Sequence, residues 1–395
     1  MTKMTKQDKN IKNFPNLRFP GFHEEWEVKK LGDITTWSSG GTPPKDNSLF
    51  WDGDIPWISA SSMRGNVYAD SELKITEEGL KKGSKLAEKG TLLILVRGSM
   101  LFNKIPIGIV AKDVAFNQDV KSIVVNDYST SEYILNWFTA FESKILNMVT
   151  GTGIGAGKLD LPDLKALEIK IPPLPEQIKL ANFLFKIDQR ISTQKKIISH
   201  LETSIRTFRE QIFLQKFRFK DDLGNNFPDW EESKLENICQ KQSSNISANK
   251  IEENFGSYTI YGASGILKKV DFYEEENEFV SIVKDGAGVG RLFLCEAKSS
   301  VLGTMDIIKP KSDVNTYFLF YQISNIDFTK YVTGSTIPHI YFKDYKKEKL
   351  KIPSRDEQTK IANFLASIDE KIETEKKTLK QYENQKKYLL TNLFV

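Results

Sequence analysis

The chain has 395 residues, enough for two or three domains that each bury a core, and its 25 Phe, 13 Tyr and 6 Trp argue against a disordered polymer. A formal net charge of +4 is too small to announce nucleic acid or any other charged partner, and it stays small in every segment of the chain. Two isolated cysteines, Cys239 and Cys295, and three scattered histidines, His23, His200 and His339, give neither a zinc spacing nor a disulfide framework and fit a reducing cytoplasm; the longest aliphatic run, residues 92–96, is too short to cross a bilayer.

The opening MTKMTKQDKN is polar with no apolar centre and does not read as a signal peptide; residues up to about Asn16 read as a frayed tail. FPGFHEEWEVKKLGDI follows from Phe19 and has an echo in FPDWEESKLENI from Phe227. With Trp26 set on Trp230, Glu27 falls on Glu231, Lys30 on Lys234, Leu31 on Leu235 and Ile34 on Ile238. Two modules therefore follow one another, each opening with Phe-Pro and Trp-Glu. In the first, GTLLILVRGSM, LFNKIPIGIVA and NQDVKSIVV read as strands between turns, and residues 131–146 have the start and spacing of one helix. In the second, SYTIYGASGIL, EFVSIVKDGAGVGRLFLC and TMDIIKP supply strands, and VNTYFLFYQISNI is the counterpart helix. The order of elements matches while the residues differ, which suggests one shared task and two specificities.

Each module ends in a long amphipathic stretch, IPPLPEQIKLANFLFKID and onward from Ile171, and IPSRDEQTKIANFLASID and onward from Ile352, displaced by a constant 181 residues (171 to 352, 214 to 395). Leu180, Leu184, Ile187, Ile191, Gln194, Ile198, Leu201, Ile205, Phe208 and Ile212 alternate steps of four and three, as do Ile361, Leu365, Ile368, Ile372, Glu375, Leu379, Tyr382, Lys386, Leu389 and Leu393. That is a heptad seam with its polar member at the same site, and it predicts two rods of roughly 57 Å that pair through Leu184, Ile187, Ile191, Gln194 and Ile198 against Leu365, Ile368, Ile372, Glu375 and Leu379. Gln194 and Glu375 are expected to approach each other across that seam and fix its register. The prolines at 172, 173, 175 and 353 suit the start of a helix, and Glu176 and Glu357 suit the positive end of its dipole.

Chemistry of its own is hard to find. TGTGIGAGK, residues 150–158, has Thr152 and Leu159 where a phosphate loop needs Gly and Ser or Thr, so it reads as a flexible glycine loop or as a loop whose amides and Lys158 meet nucleic-acid phosphate; GAGVG, residues 286–290, reads as a tight hairpin. No histidine has a triad partner in sequence, no adenine-methyltransferase motif is present, and neither catalytic nor metal residues are expected. What remains are polar and basic residues in strand-turn regions suited to bases and phosphates. They are Thr42, Lys45, Ser59, Ser61, Arg64, Arg97, Ser99, Asn103, Gln118 and Lys158 in the first module, and Tyr261, Ser264, Lys284, Arg291, Thr304, Thr336, His339 and Lys343 in the second.

The two Ile-Pro, Glu-Gln, Ala-Asn-Phe-Leu, Ile-Asp stretches closing dissimilar modules, with GGTP and WDGDIPWIS between Gly40 and Ser59, resemble the specificity subunit of type I restriction-modification systems over nearly the whole chain. Ser354-Arg355-Asp356 departs from Pro173-Leu174-Pro175 at the start of the second rod. The resemblance implies an α+β chain with two α/β target recognition domains, residues 1–175 and 215–356, joined by spacer helices 176–214 and 357–395 that form an antiparallel coiled coil with pseudo-two-fold symmetry. It implies a cytoplasmic, non-catalytic subunit that reads a split, asymmetric duplex DNA target. Two adenine-N6 methyltransferase subunits and, for restriction, translocating nuclease subunits are its expected partners, with S-adenosylmethionine, ATP and magnesium on those partners only and no membrane.

Overall fold

The computed structural model describes residues 13–153 and 155–394. These divide into two compact units, one within Met1–Gln194 and Thr378–Val395, the other within Lys195–Lys377. The part of the tail reading that covers residues 1–12 lies outside the described residues. Its last part is corrected: Pro15 is buried, and the backbone amide of Leu17 donates to the carbonyl of Asn392 at 2.9 Å.

Both units are built on the same four-stranded antiparallel ladder. In the first unit the order is Thr35–Ser39, Val120–Val125, Leu92–Leu95 and Ile107–Val110, with Thr35 opposite Val125, Val120 opposite Leu95 and Ile94 opposite Ile107. In the second it is Cys239–Ser243, Met305–Pro310, Phe279–Val283 and Leu292–Cys295, with Cys239 opposite Pro310, Met305 opposite Val283 and Ile282 opposite Leu292. The central strands LLIL and FVSIV are buried along their whole length, which explains why they read as continuous runs instead of alternating ones. A parallel pair is added in each unit, Ile58 beside Phe116 and Tyr261 beside Val301. So is a two-stranded clasp, Glu27 opposite Ile171 and Glu231 opposite Ile352.

A helix packs on each ladder. Thr316–Ile323 is capped by Asn315, whose side chain accepts from the amides of Tyr317 and Phe318. The single helix expected over 131–146 is instead two, Ser131–Ala140 and Glu142–Leu146. The break falls at Phe141, which leaves helical geometry at φ −102°, ψ 14° and lays its ring 5.2 Å from that of Trp137.

The two long helices, Leu174–Phe213 and Arg355–Leu393, have 40 and 39 residues and no internal glycine, and each starts two residues ahead of its expected start. Each supplies one end to each unit. In the first unit Leu180, Leu184 and Ile187 share a core with Leu390, Leu393 and Phe394, and the Lys386 Nζ meets the Asp188 carboxylate at 2.5 Å. In the second unit Phe208 packs on Phe364 at 5.2 Å and Lys376 lies 3.4 Å from Glu202, so numbers fall along one helix as they rise along the other. The pairing is antiparallel. Every seam position is buried or half-buried, including Gln194 at 7 % exposure; Glu375 is half-buried, with Lys371 at 3.7 Å.

The helix ends close matching aromatic sockets. Phe394 stacks 5.3 Å from Tyr133, beside Trp26; Phe213 lies 5.8 Å from Phe318 and 6.2 Å from Trp230. After Phe213 the chain turns through Gln215 at φ 58°, with the amide of Gln215 donating to Ile212 and that of Lys216 to Gln211. Among the described residues no helix is long and apolar enough to cross a membrane.

Candidate nucleic-acid interface

The residues that repeat in sequence build a joint between module and helix. Glu176 and Glu357, expected to serve the helix dipole, do lie in the first turn, but each is also buried and paired. Glu176 accepts from Arg18 at 2.8 Å and from the Trp26 indole at 3.2 Å; Glu357 accepts from Arg218 at 2.8 Å and from the Trp230 indole at 3.0 Å. The carboxylates hold both guanidiniums above their ordinary value. The next residue completes the joint. Gln177 accepts from Ser129 and donates to the carbonyls of Tyr128 and Pro172, and Gln358 accepts from the Asn315 amide and donates to those of Asp313 and Pro353. The two arginines are not legible from the sequence echo, which sets Phe19-Pro20 on Phe227-Pro228. The structural match is Arg18-Phe19 with Arg218-Phe219: Phe19 packs on Phe183 at 5.4 Å and Phe219 on Phe364 at 5.5 Å.

The divergent residues gather where the ladder strands end. In the first unit the amide of Asn117 donates to Ile58, that of Val96 to Asp119 and that of Leu159 to Val96, which draws Ser59, Gln118, Arg97 and Lys158 to one surface. Thr42 donates to the Gln118 side chain at 2.6 Å, and Ser59 bonds Ser61 at 3.0 Å. The reading of 150–158 as a flexible loop is corrected at its ends, where Thr150 pairs with Lys158, Gly151 with Gly157, and Lys158 in turn with Arg97; residue 154 lies outside the described residues. Gly157 is required there, since a Cβ would stand 2.8 Å from Val149 and 3.0 Å from Leu101. Arg97, Lys158 and Thr150 thus form one exposed row across three strands, with Asp160 3.2 Å from Lys158 as the paired carboxylate. Two cations opposite each other repel unless an anion answers them. Ser99 opens the turn Ser99–Phe102 and Asn103 follows it, both exposed; Lys45 and Arg64 are exposed farther along their own loops.

The second unit repeats the frame with other chemistry. The amide of Leu302 donates to Tyr261, that of Lys284 to Thr304 and that of Ile340 to Lys284, the same three links. His339 pairs with Asp285 and with Thr333, standing where Lys158 stands between Arg97 and Thr150. The loop histidine is therefore strand-paired, its ring 5.0 Å from Tyr341, over which Lys343 lies. Arg291 donates to the carbonyl of Ala263 at 2.8 Å, beside exposed Ser264, and the 286–290 turn joins two paired strands as a hairpin. Thr304 and Thr336 are exposed. Tyr261 is different. Its position matches Ile58; it is 7 % exposed, packs with Phe279 and Met305, and its hydroxyl accepts from the Glu296 amide, so it belongs to the core and not to this surface.

No reactive cysteine lies nearby: burial pushes the thiols of Cys239 and Cys295 up to about 12. Among the described residues no group of three His, Cys, Asp or Glu side chains could hold a metal ion.

Residues 23–203 and 228–384 each match the family of the type I restriction modification DNA specificity domain. The chain belongs to this family. Its two specificity domains stand in tandem, and each match runs on into the long helix that follows its module. The chain is 33 % identical to the EcoR124I/EcoR124II specificity subunit of Escherichia coli over 187 residues, 47 % of this chain and 46 % of that one. It is 25 % identical to the MjaIX specificity subunit of Methanocaldococcus jannaschii, with 88 % of each chain covered. In fold it is similar to the crystal structure of the type I restriction-modification S subunit from M. genitalium, with a TM-score of 0.67, 17 % identity, and 97 % and 99 % of the two chains covered.

Proposed function

We propose that this specificity chain is the sequence reader of a type I restriction-modification complex. Each unit reads one half of a split, asymmetric duplex target, and the strand-end side chains make the contacts. The observation that carries this reading is the substitution of chemistry on a constant frame. Where the first unit presents Arg97, Lys158 and Gln118, the second presents Asp285, His339 and Gly303, while the hydrogen bonds holding those positions are the same. A frame kept and a surface replaced is what two half-site readers need.

Catalysis then falls to partners. Adenine-N6 methyltransferase subunits, and nuclease/translocase subunits for restriction, bring S-adenosylmethionine, ATP and magnesium. The long helices are the element that sets the unread spacer, because each contributes to both units. Mapping N6-methyladenine in a genome where this chain is expressed with an active methyltransferase partner tests the reading: methylation at one bipartite asymmetric motif supports it, and no motif overturns it.

A further inference from the structure

The second unit contains a cleft of about 920 Å³ whose wall includes Lys241, Lys284, Lys311, Lys343 and Lys346, against the carboxylates of Glu236, Asp285 and Asp306. Asp306 is almost fully buried and is shared, at 3.6 Å from Lys241 and 3.3 Å from Lys284. Lys346 pairs with Glu236 at 2.7 Å, and Lys311 donates to the Glu236 carbonyl. Among the described residues no carboxylate is paired with Lys311 or Lys343, so the cleft gathers more positive charge than its own acids answer.

The first unit does not repeat this feature. Trp37, opposite Ile123, takes the place of Lys241, opposite Ile308, and Lys165, the counterpart of Lys346, lies over the Trp37 ring at 6.0 Å. Gly32 stands where Glu236 stands, and a Cβ there would meet the Lys165 Cβ at 3.0 Å. An indole and a close backbone approach fill the position that, in the second unit, is open and lysine-lined.

We infer that this cleft anchors the sugar-phosphate backbone of duplex DNA, with Lys311 and Lys343, which no carboxylate answers, as phosphate ligands beside Lys241, Lys284 and Lys346. The inference deepens the proposed reading and rests on duplex DNA being the ligand. It makes the two half-sites unequal: the second unit carries a backbone anchor that the first lacks. Each lysine ammonium that neutralises a phosphate releases condensed counterions, so it contributes about 0.9 to the slope of log affinity against log salt.

The test is binding of the full chain to a random-sequence 30-base-pair duplex, measured over a range of salt. Lys311→Gln with Lys343→Gln should flatten the slope by about 2, and Lys311→Arg with Lys343→Arg should restore it. Lys349→Gln, which removes an exposed lysine paired with Glu232, should leave it unchanged. An unaltered slope in the double Gln variant, as expected if the cleft receives an acidic protein segment, overturns the assignment. Selection of preferred sequences from random duplexes separates the two claims: no enrichment together with an intact slope change would sink sequence reading and leave the backbone anchor standing.

Discussion

The Trp26 indole and the Glu176 carboxylate, 150 residues apart in the chain, meet at 3.2 Å inside the first unit, and Arg18 closes the same carboxylate from its solvent side. Glu357 repeats the arrangement with Trp230 and Arg218. Removing the acid leaves an indole N–H and a guanidinium without their acceptor. Glu176→Ala should therefore cost about 2–3 kcal/mol, and Glu176→Gln, which keeps an acceptor, distinctly less. Chemical denaturation of the three proteins checks the order.

The hairpin bearing Lys158 depends on one glycine and not on its neighbour. Gly157→Ala forces Val149 or Leu101 to move, whereas a Cβ at Gly153 meets nothing within 4 Å. The first substitution should impair duplex binding and the second should not, at similar expression and melting temperature relative to the rest of the chain. Equal effects would remove the hairpin from the reading surface.

The sequence made the helices and their Glu-Gln openings legible because identical residues stand there at constant spacing; the arginines of the joint stayed hidden, since Arg18 and Arg218 are 200 residues apart (218 less 18) and Glu176 and Glu357 181 (357 less 176). Ile-Pro, Glu-Gln and Ile-Asp sit at one register, and the seam is a periodic pattern. Inside the modules the strands and their shared order are legible from apolar runs, but which strand pairs with which is not. Leu95 answers Val283 and Ile58 answers Tyr261, but insertions between strands shift the offset each time, and the shared features are backbone hydrogen bonds that any side chain permits. For the same reason Tyr261 looked like a contact residue: its chemistry suits one, and only the strand pairing shows that it is interior. The lysine cleft was equally hidden, since Lys241 and Lys311 come together only through the pairing of strands Cys239–Ser243 and Met305–Pro310. The glycine-rich run offered no sign that it would pair with Arg97, 61 residues earlier than Lys158 (158 less 97).

Arg97 and Lys158 form a cationic row with Asp160 beside Lys158, and their roles should divide. Loss of a base contact at Arg97→Ala should cost about 1–3 kcal/mol and relax one half of the recognised motif. Loss of a phosphate contact at Lys158→Ala should weaken all sequences alike. Binding measured across single-base variants of the target distinguishes these outcomes.

Asp369 offers a pH test of packing on the second unit. Burial raises its carboxyl above the ordinary value of 3.8, against the opposing pull of the Tyr321 hydroxyl, which donates to it at 2.6 Å, and of Arg209. A folded value above the unfolded one means that ionisation costs stability; the cost is complete above the folded value and absent below 3.8. Asp369→Asn should accordingly raise the melting temperature at neutral pH, and the gain should disappear in acid. A gain that is constant with pH would assign it to something other than the charge.

The central claim is that two units on one frame read two halves of one target. Its most direct measurement is the methylome of a chimera in which residues 231–352, clasp strand to clasp strand, are replaced by the equivalent segment of a family member with a known target, expressed beside the same methyltransferase partner. The account predicts a motif that keeps one half, trades the other for the donor's, and retains the spacer. A motif altered in both halves, or in neither, would contradict it.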